Sequence, residues 1–327
     1  MTAVTRFIEA AKGRGLSVVL PEGRDPRIVA AARRMKDEGI AEPVLLGKRE
    51  ELEAGAEEAA VNLDGLSCLD PSTGDRLEDY TRAYVEGREL KSSVARRMVK
   101  RALYHGGMMV AQGDAHTMVA GVATPTALVI QAGAMTVGLA EGIDTPSSFF
   151  LMILPEFQGE WNRPFIYADC AVNIAPTAAE LADIAIASER SARSLLDDEP
   201  RVAMLSFSTK GSASHVNIDH VTEAMAIVKQ KAADLNIDGE FQADAAIIPS
   251  VGAKKVKGPS AVVGQANVLI FPDLNSGNNA YKLTQYMAGA QAIGPFLQGF
   301  ARPISDLSRG ASVEDIIATT AICLAQV

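Results

Sequence analysis

The sequence has few of the residue types that hold metal ions or build disulfide frameworks. Its 327 residues include three cysteines and four histidines. None of them is paired at the spacing of a zinc site. The unpaired cysteines suit the reducing conditions of the cytoplasm, where we expect the protein to reside. A metal centre built from histidine or cysteine is therefore not expected.

Positive charge is also in short supply. Lysine and arginine number 31 against 40 aspartates and glutamates, which gives a formal net charge of −9. This balance argues against nucleic acid or an anionic membrane as the main partner. An anionic small molecule is still compatible, because a few clustered arginines can outweigh the global charge locally.

The motifs of nucleotide binding and covalent catalysis are missing as well. Neither a P-loop nor a G-x-G-x-x-G pattern follows a predicted strand, so ATP and a Rossmann-type dinucleotide have no support. There is no G-x-S-x-G elbow. No cysteine lies near a histidine in the sequence, so nothing indicates a covalent nucleophile.

One stretch without charge, residues 117–140, is long enough to span a bilayer. It contains Pro125 and several glycines, and it lacks an aromatic belt and a basic flanking loop. We therefore interpret it as a buried loop and helix. The helix is predicted to begin near Pro125, since proline is favoured at the first helical position.

Short apolar strands alternate with amphipathic helices along the first half of the chain. Residues 16–23 read as a buried strand, and the helix that follows has Asp25 as its N-cap and Gly39 at its end. The segment "PVLLG" is the next strand and a glutamate-rich helix comes after it. This alternation predicts a doubly wound α/β fold, with a parallel sheet and helices on both of its faces.

The second half repeats this alternation. Residues 201–208, "DAAIIPS" and "ANVLIFPDL" are predicted strands, and residues 275–289 are predicted as a tight turn that opens into a helix. The length of the chain suits two α/β domains. The last helix, from Ser312, is nearly all apolar on one face and must pack in a core. It could complete the first domain, which would then be discontinuous.

Three strand-to-helix loops are rich in small polar residues, namely 206–214, 273–282 and 304–312. Parallel α/β sheets bind ligands where such loops meet helix N-termini. Two of the loops carry a cation, Lys210 or Arg309. Ordinary turn chemistry explains any one loop alone, but the three together favour an anionic ligand.

Two further features bear on this site. Arg88 sits at a Gly-Arg break before a helix, where its guanidinium could grip a phosphate with two hydrogen bonds. Ser312 and Asp315 fit the S-x-x-D capping pattern at the start of the last helix. From the residues alone, Asp315 is either a cap or a carboxylate base beside an anion site.

Long, unusual loops of this chain resemble those of a known family, the phosphate acetyltransferases within the wider phosphate acyltransferase group. The resemblance covers nearly the whole chain in the family's order. The matching stretches are "VVLPEGRDPRIV", "GDAHTMVAGV", "SSFFLMILP", "DCAVNIAPTAAELADIAI", "RVAMLSFSTKGSA", "IDGEFQADAAI", "NVLIFPDLNSGNNAYKL" and "IGPFLQGFARPISDLSRG".

The resemblance implies a reversible reaction in which acetyl-CoA and phosphate give acetyl phosphate and CoA through a ternary complex. It implies CoA as a substrate, no cofactor and a homodimer. The implied fold is similar to that of the isocitrate and isopropylmalate dehydrogenases, with the active site in a cleft between two domains. We expect domain I to comprise residues 1–147 and 299–327, and domain II residues 148–298.

The resemblance also implies roles for particular residues. Asp315 matches the family's base for the CoA thiol, and Ser308 and Arg309 match its catalytic partners. Arg88 matches a family arginine. The remaining substrate-binding candidates in the matching segments are Gln131, Lys210, Ser212, Asn278, Tyr281 and Lys282. The chain departs from the pattern at Gln131 and Tyr286, where relatives often carry arginine. This departure predicts either an altered affinity for the acyl group or phosphate, or a degenerate site.

Three other readings compete with acetyl transfer. The acyl group could be propionyl or butyryl. The chain could be a non-catalytic module that senses acyl-CoA, similar to the domain fused to some malic enzymes, but the intact "DLSRGASVED" weakens this reading. A dehydrogenase of similar fold needs clustered aspartates and a lysine–tyrosine pair, and no convincing set occurs.

Overall fold

The computed structural model describes residues 3–327. The chain divides into two compact units. The first unit comprises the residues up to Leu139 together with Phe300–Val327, and the second comprises Ala140–Gly299. The first unit is thus built from two separate segments of the chain.

The strands of the described residues are short in the first unit and longer in part of the second. They are β1 (Ser17–Leu20), β2 (Glu42–Leu46), β3 (Ser67–Leu69), β4 (Thr117–Ala120), β5 (Ser147–Phe157), β6 (Glu160–Ala168), β7 (Val202–Leu205), β8 (Ile237–Phe241), β9 (Val268–Ile270), β10 (Gln291–Gln298) and β11 (Ile304–Asp306).

Helices follow most of these strands. They are α1 (Ala3–Ala11), α2 (Pro26–Asp37), α3 (Arg49–Glu58), α4 (Leu77–Val85), α5 (Ser92–Val99), α6 (Ala102–Gln112), α7 (Thr126–Thr136), α8 (Ala178–Leu195), α9 (Val216–Lys231), α10 (Ala243–Ile247), α11 (Pro249–Lys255), α12 (Leu274–Ala288) and α13 (Val313–Leu324).

The sheet of the first unit is entirely parallel, with the strand order β11-β4-β1-β2-β3. Its central strands are apolar on both faces, as in a sheet covered by helices on each side. Val18, Val19 and Leu20 in β1 have no exposed surface. Helix α13 packs against α1, α2 and β4, so the C-terminal segment contributes to this core.

The sheet of the second unit is mixed, with the order β10-β5-β6-β9-β7-β8. Strands β6, β9, β7 and β8 are parallel, whereas β5 runs antiparallel to both β6 and β10. The hairpin of β5 and β6 was not predicted from the sequence. Residues 147–154 are all buried, so this stretch lacks the alternation by which a half-exposed strand is recognised.

Helix signals in the sequence located several boundaries. The carboxylate of Asp25 accepts a hydrogen bond from the Arg27 amide at 2.9 Å, which caps α2, and Gly39 takes the left-handed conformation (φ 66°) just after it. Pro125 occupies the N-cap of α7, one position before the first helical residue. The α/β class predicted from the alternation of strands and helices is confirmed.

Two predicted elements of the second half were wrong. "DAAIIPS" was expected to be a strand, but it forms most of α10 and the start of α11. Its alanines favour a helix, and the Ala246 amide bonds the Gln242 carbonyl at 3.1 Å. The tight turn expected from residue 275 is absent, because α12 already begins at Leu274 with Asp273 as its cap.

The uncharged segment 117–140 is only partly buried within its unit. Strand β4 is fully buried, whereas Ala127, Leu128 and Gln131 on α7 are exposed. Among the described residues, no helix has both the length and the hydropathy required to cross a membrane.

Candidate active site

The carboxyl ends of β1, β4 and β11 lie side by side in the first unit. Each strand runs into a loop that leads to a helix, so the N-termini of α2, α7 and α13 follow from the same edge of the sheet. Such an edge is the usual ligand site of a parallel α/β sheet. Ser308, Arg309 and Asp315 all belong to the third of these loops and its helix.

The N-terminus of α13 forms the capping box that the sequence predicted. The Ser312 hydroxyl accepts a hydrogen bond from the Asp315 amide at 3.1 Å and donates one to Asp315 Oδ2 at 2.8 Å. The same Oδ2 accepts from the Ser312 amide at 2.9 Å. Among the described residues Oδ1 has no hydrogen-bond donor, and Asp315 is exposed within its unit. One carboxylate oxygen therefore caps the helix while the other is left for a ligand.

Ser308 and Arg309 are exposed on the loop just before this helix. The Ser308 hydroxyl accepts a hydrogen bond from the Gly310 amide at 3.1 Å, which orients it within the turn. The Arg309 guanidinium has no hydrogen bond or ion pair within residues 3–327. It is thus free to meet an anion beside the N-terminal dipole of α13.

Arg27 at the start of α2 ties this loop to its neighbours. One guanidinium nitrogen donates to the carbonyl oxygens of Arg309 at 2.8 Å and Ala311 at 3.0 Å. Another donates to the Val122 carbonyl at 3.4 Å and to the Asp25 carboxylate at 2.8 Å. The hydrogen bond with Asp25 raises the pKa of Arg27 further, so a permanent charge holds the backbone on which Arg309 is carried.

Glu22 organises the second loop. Its carboxylate accepts hydrogen bonds from the amides of Gly121, Val122 and Ala123 at 2.8, 3.0 and 3.0 Å. Three consecutive amides around one anion fix the backbone between β4 and α7. The two side chains that cross between the loops, Glu22 and Arg27, both belong to the segment "PEGRDPR".

Asp306 is a buried carboxyl group at the end of β11, two residues before Ser308. It is 4% exposed, and its Oδ2 accepts a 2.5 Å hydrogen bond from the Thr126 hydroxyl at the start of α7. Burial raises the pKa of Asp306 to about 6, and the nearby Glu22 carboxylate adds to this effect. The group is therefore half ionised at about pH 6 rather than near pH 4.

Arg88 forms hydrogen bonds with backbone carbonyl groups, one of which lies at the C-terminal end of α7. Its guanidinium donates to the carbonyl oxygens of Tyr84 at 2.5 Å and Met135 at 2.9 Å, and it lies 4.6 Å from the centre of the Tyr84 ring. The eleven residues of α7 span about 16 Å. Gln131 is exposed on this helix, between Thr126 at its start and the carbonyl that Arg88 contacts.

Lys210 in the second unit is bound within the protein. Its ammonium group donates to the Asp238 carboxylate at 2.5 Å and to the Gly239 carbonyl at 2.6 Å. Burial by itself raises the pKa of Asp238, but hydrogen bonds from Lys210 and Ser260 outweigh it and hold the pKa below its ordinary value. Ser212 accepts from the Thr209 amide at 3.0 Å in the same loop.

The other candidates of the second unit lie on α12. The Asn278 amide donates to the Cys170 carbonyl at 3.0 Å, and the Tyr281 ring stacks on Phe150 with 4.1 Å between ring centres. The Lys282 ammonium is exposed and lies 5.7 Å from the centre of the Tyr281 ring. Tyr286, where relatives often carry arginine, is exposed one turn further along.

The structure brings Ser308, Arg309 and Asp315 together on one short segment of the first unit. Sequence reasoning did not single out Glu22, Arg27, Thr126 and Asp306, although all of them except Thr126 lie in quoted segments. Arg27 was overlooked because the predicted helix-capping role of Asp25 already accounted for this part of the sequence. Within residues 3–327, no group of three histidine, cysteine, aspartate or glutamate side chains could hold a metal ion.

Comparison with known proteins shows the family of the chain. The pattern of the family described as "Phosphate acetyl/butaryl transferase" matches residues 3–324. A phosphate acetyltransferase of Acetivibrio thermocellus is 43% identical over 329 aligned positions, which cover 100% of this chain and 98% of the relative.

Solved structures give the same result. A phosphotransacetylase from Streptococcus pyogenes superposes with a TM-score of 0.91 at 39% identity, covering 99% of this chain and 97% of the other. A Salmonella typhimurium protein assigned as a 4-hydroxythreonine-4-phosphate dehydrogenase matches with a TM-score of 0.57 at 11% identity, covering 96% and 99% of the two chains. This second match concerns the fold alone and bears out the expected likeness to dehydrogenases. The chain belongs to the phosphate acetyl/butyryl transferase family.

Proposed function

We propose that this protein catalyses the reversible transfer of an acetyl group between CoA and inorganic phosphate in a ternary complex. Membership of the family and 43% identity to a phosphate acetyltransferase over the whole chain make it an acyltransferase. The observation that carries the site assignment is the exposed segment from Ser308 to Asp315, in which a hydroxyl, a guanidinium and a carboxylate surround a helix N-terminus.

Asp315 acts as the base in this proposal. It takes the proton of the CoA thiol, the sulfur forms a bond to the acetyl carbon, and phosphate leaves with the electrons of the broken carbon–oxygen bond. A thiol of pKa about 8.5 and a carboxylate of pKa about 4 are poorly matched. The N-terminal dipole of α13 and the Arg309 charge supply the missing stabilisation by favouring the thiolate.

In this proposal the capping role and the base role of Asp315 use different oxygens of one carboxylate. Oδ2 receives both hydrogen bonds from Ser312, while Oδ1 is left without a donor among the described residues. The cap thus orients the carboxylate and leaves one oxygen for the thiol. Ser308, oriented by the Gly310 amide, donates its hydroxyl proton to the developing charge on the acetyl oxygen or on phosphate.

Arg88 and Gln131 are assigned to the anionic parts of the substrates. The Arg88 guanidinium already holds the carbonyl at the end of α7, so its charge is fixed at one end of a helix about 16 Å long. CoA is an extended molecule with phosphates far from its thiol. A site that places a cation at one end of α7 and the base beyond the other suits such a substrate.

Lys210, Ser212, Asn278, Tyr281 and Lys282 are also proposed to bind substrate. Two of them act through the scaffold, since Lys210 secures its loop to Asp238 and Asn278 secures α12 to the Cys170 carbonyl. Lys282 is exposed and is the cation of this group best able to meet a free phosphate. No metal and no cofactor enter the proposed reaction, in which CoA is a substrate.

One assay tests the proposed function. Release of CoA is measured from acetyl-, propionyl- and butyryl-CoA, with and without phosphate, before and after exhaustive chelation. We expect rapid, phosphate-dependent release from acetyl-CoA that chelation does not change. Preference for butyryl-CoA would instead identify a butyryltransferase, and binding without turnover would identify a sensing module.

We further propose that the protein is a cytoplasmic homodimer. Leu283, Tyr286 and Met287 are 57%, 82% and 82% exposed on α12, an unusual apolar patch for a surface helix. All three cysteines are unpaired, which suits a reducing compartment. Light scattering should give twice the chain mass of 34.5 kDa, and Met287→Glu should shift the protein towards the monomer.

A further inference from the structure

The second unit contains a cavity that the proposed reaction leaves without a role. Its volume is about 690 Å³, within the range of small-molecule sites. It lies where β7 and β9 end and where α9, α10 and α12 begin, the usual ligand position in a parallel sheet. It is lined by Ala175, Pro176, Leu205, Ser206, Phe207, Val216, Asn217, His220, Ala243, Phe271, Pro272, Asp273 and Ser276.

The walls of the cavity present exposed apolar surface. Phe207 is 57% exposed and Val216 is 68% exposed, although both are large apolar side chains of a polar loop and helix start. The Phe207 ring rests edge-on against His215, with 6.1 Å between ring centres. The exposed ring offers an aromatic surface against which a planar group could stack.

The charges around the cavity select against an anion. None of the described lining residues is a lysine or an arginine. The only carboxylate among them, that of Asp273, accepts a hydrogen bond from the Ser276 amide at 2.8 Å. A phosphate group placed here would meet no lysine or arginine side chain. The part of a ligand that enters the cavity is therefore neutral.

Asn217 offers a polar edge beside this apolar platform. Its backbone amide bonds the His215 ring nitrogen at 3.1 Å, which fixes the first turn of α9. Its side-chain amide is exposed and has no hydrogen-bond partner within residues 3–327. An asparagine amide matches the edge of adenine, because it can accept a hydrogen bond from the exocyclic amino group and donate one to N7.

We propose that this cavity binds an adenine ring, which stacks on Phe207 and meets the Asn217 amide at its edge. The ring could be the adenine of CoA itself, and that source rests on the proposed function, or it could belong to a separate adenine nucleotide. In either case the phosphates extend out of the cavity, away from Asp273.

Calorimetric titration of the full chain with adenosine tests the proposal, because adenosine carries the ring without any phosphate. Binding is measured for the wild type, for Phe207→Leu, which removes the ring and keeps an apolar side chain, and for Asn217→Asp, which removes the amide donor at nearly constant size. Trp161→Leu is the control, since Trp161 is an exposed aromatic outside the cavity. Thermal melts establish that each variant is folded.

We expect saturable binding to the wild type and to the Trp161 variant, and at least about fivefold weaker binding to both cavity variants, the lower end of what one base–aromatic stack contributes. Absence of adenosine binding, or equal binding by the cavity variants, would overturn the proposal. So would a finding that pantetheine binds here and adenosine does not.

A second measurement separates the two sources of adenine. If adenosine raises the KM for CoA and leaves kcat unchanged, the cavity holds the adenine of the substrate. If adenosine and CoA bind together, it holds a separate nucleotide, and both outcomes support the site. Because binding is measured without turnover, a failure of the proposed acetyl transfer would not be mistaken for a failure of this site.

Discussion

The two units use the carboxyl ends of their parallel strands in different ways. In the first unit, charged side chains cross between loops and hold an exposed segment, as Arg27 does for the backbone of Arg309. In the second unit, the equivalent edge opens into a cavity with apolar walls around Phe207. Charged groups at the first edge can orient ions and move protons, whereas the second edge suits a neutral group.

The largest effect on activity is expected from substitution of Asp315. This substitution distinguishes a catalytic role from a helix-capping role. Asp315→Asn should lower kcat by roughly a hundredfold or more, because the base is lost. Asparagine still accepts a hydrogen bond at an N-terminal turn, so the free energy of unfolding should fall by about 1 kcal/mol at most. Steady-state kinetics and urea unfolding measure the two effects. A variant with lower stability but normal kcat would show that Asp315 only caps the helix.

The next effect concerns Arg27 as a positioning residue of the first unit. Arg27→Lys keeps the charge but cannot reach both the Arg309 and Ala311 carbonyls in the same way, and we expect kcat to fall by about tenfold or more, as misplacement of a reactive group does. Arg33→Lys is the matched control on α2, since Arg33 also bonds a carboxylate and a backbone carbonyl. Equal losses in the two variants would argue against positioning.

Opposite pH dependences are expected for one carboxylate in each unit. The native state raises the pKa of Asp306 to about 6. The stability that its neutral form contributes is therefore present below pH 4 and is lost as the pH rises through 6. The loss amounts to about 3 kcal/mol at most. The pKa of Asp238 is lowered, so its contribution is present above pH 4 and is lost as the pH falls further.

Urea unfolding between pH 3.5 and 7.5 measures both dependences. Compared with the wild type, Asp306→Asn should gain relative stability as the pH rises from 4 to 7, whereas Asp238→Asn should gain relative stability as the pH falls below 4. Parallel curves for the wild type and the Asp306 variant would show that the native protein does not raise the pKa of this carboxyl group.

The smallest effect is expected at Gln131, where the first unit lacks an arginine that relatives often carry. Charge-assisted hydrogen bonds are about twice as strong as neutral ones. Gln131→Arg should therefore lower the KM for phosphate by a few-fold and leave the KM for acetyl-CoA nearly unchanged. Gln131 is exposed on α7, so the new side chain has room. An unchanged KM for phosphate would mean that the anion does not approach this helix.

Sequence reasoning proposed the segment from Ser308 to Asp315 as a candidate site but did not identify the groups that hold it. Ser312 and Asp315 are three residues apart, and their hydrogen bonds form wherever this segment becomes a helix. The same is true of Asp25 at the start of α2. Lys210 was predicted to bind substrate from its polar loop, yet its partner Asp238 lies 28 residues away on a different strand. No local sequence pattern predicts a hydrogen bond between residues this far apart in the chain.

Short-range hydrogen bonds and the spacing of apolar residues were thus enough for the sequence by itself to determine the α/β class, the caps of α2 and α13, and the candidate segment from Ser308 to Asp315. Only the tertiary structure decided which side chains support that segment. Arg27 and Arg309 are 282 residues apart, and they meet because the sheet order places β11 beside β4 and β4 beside β1. The burial of Asp306, and with it the pKa of about 6, depends on the same order, because desolvation is a property of everything packed around a group.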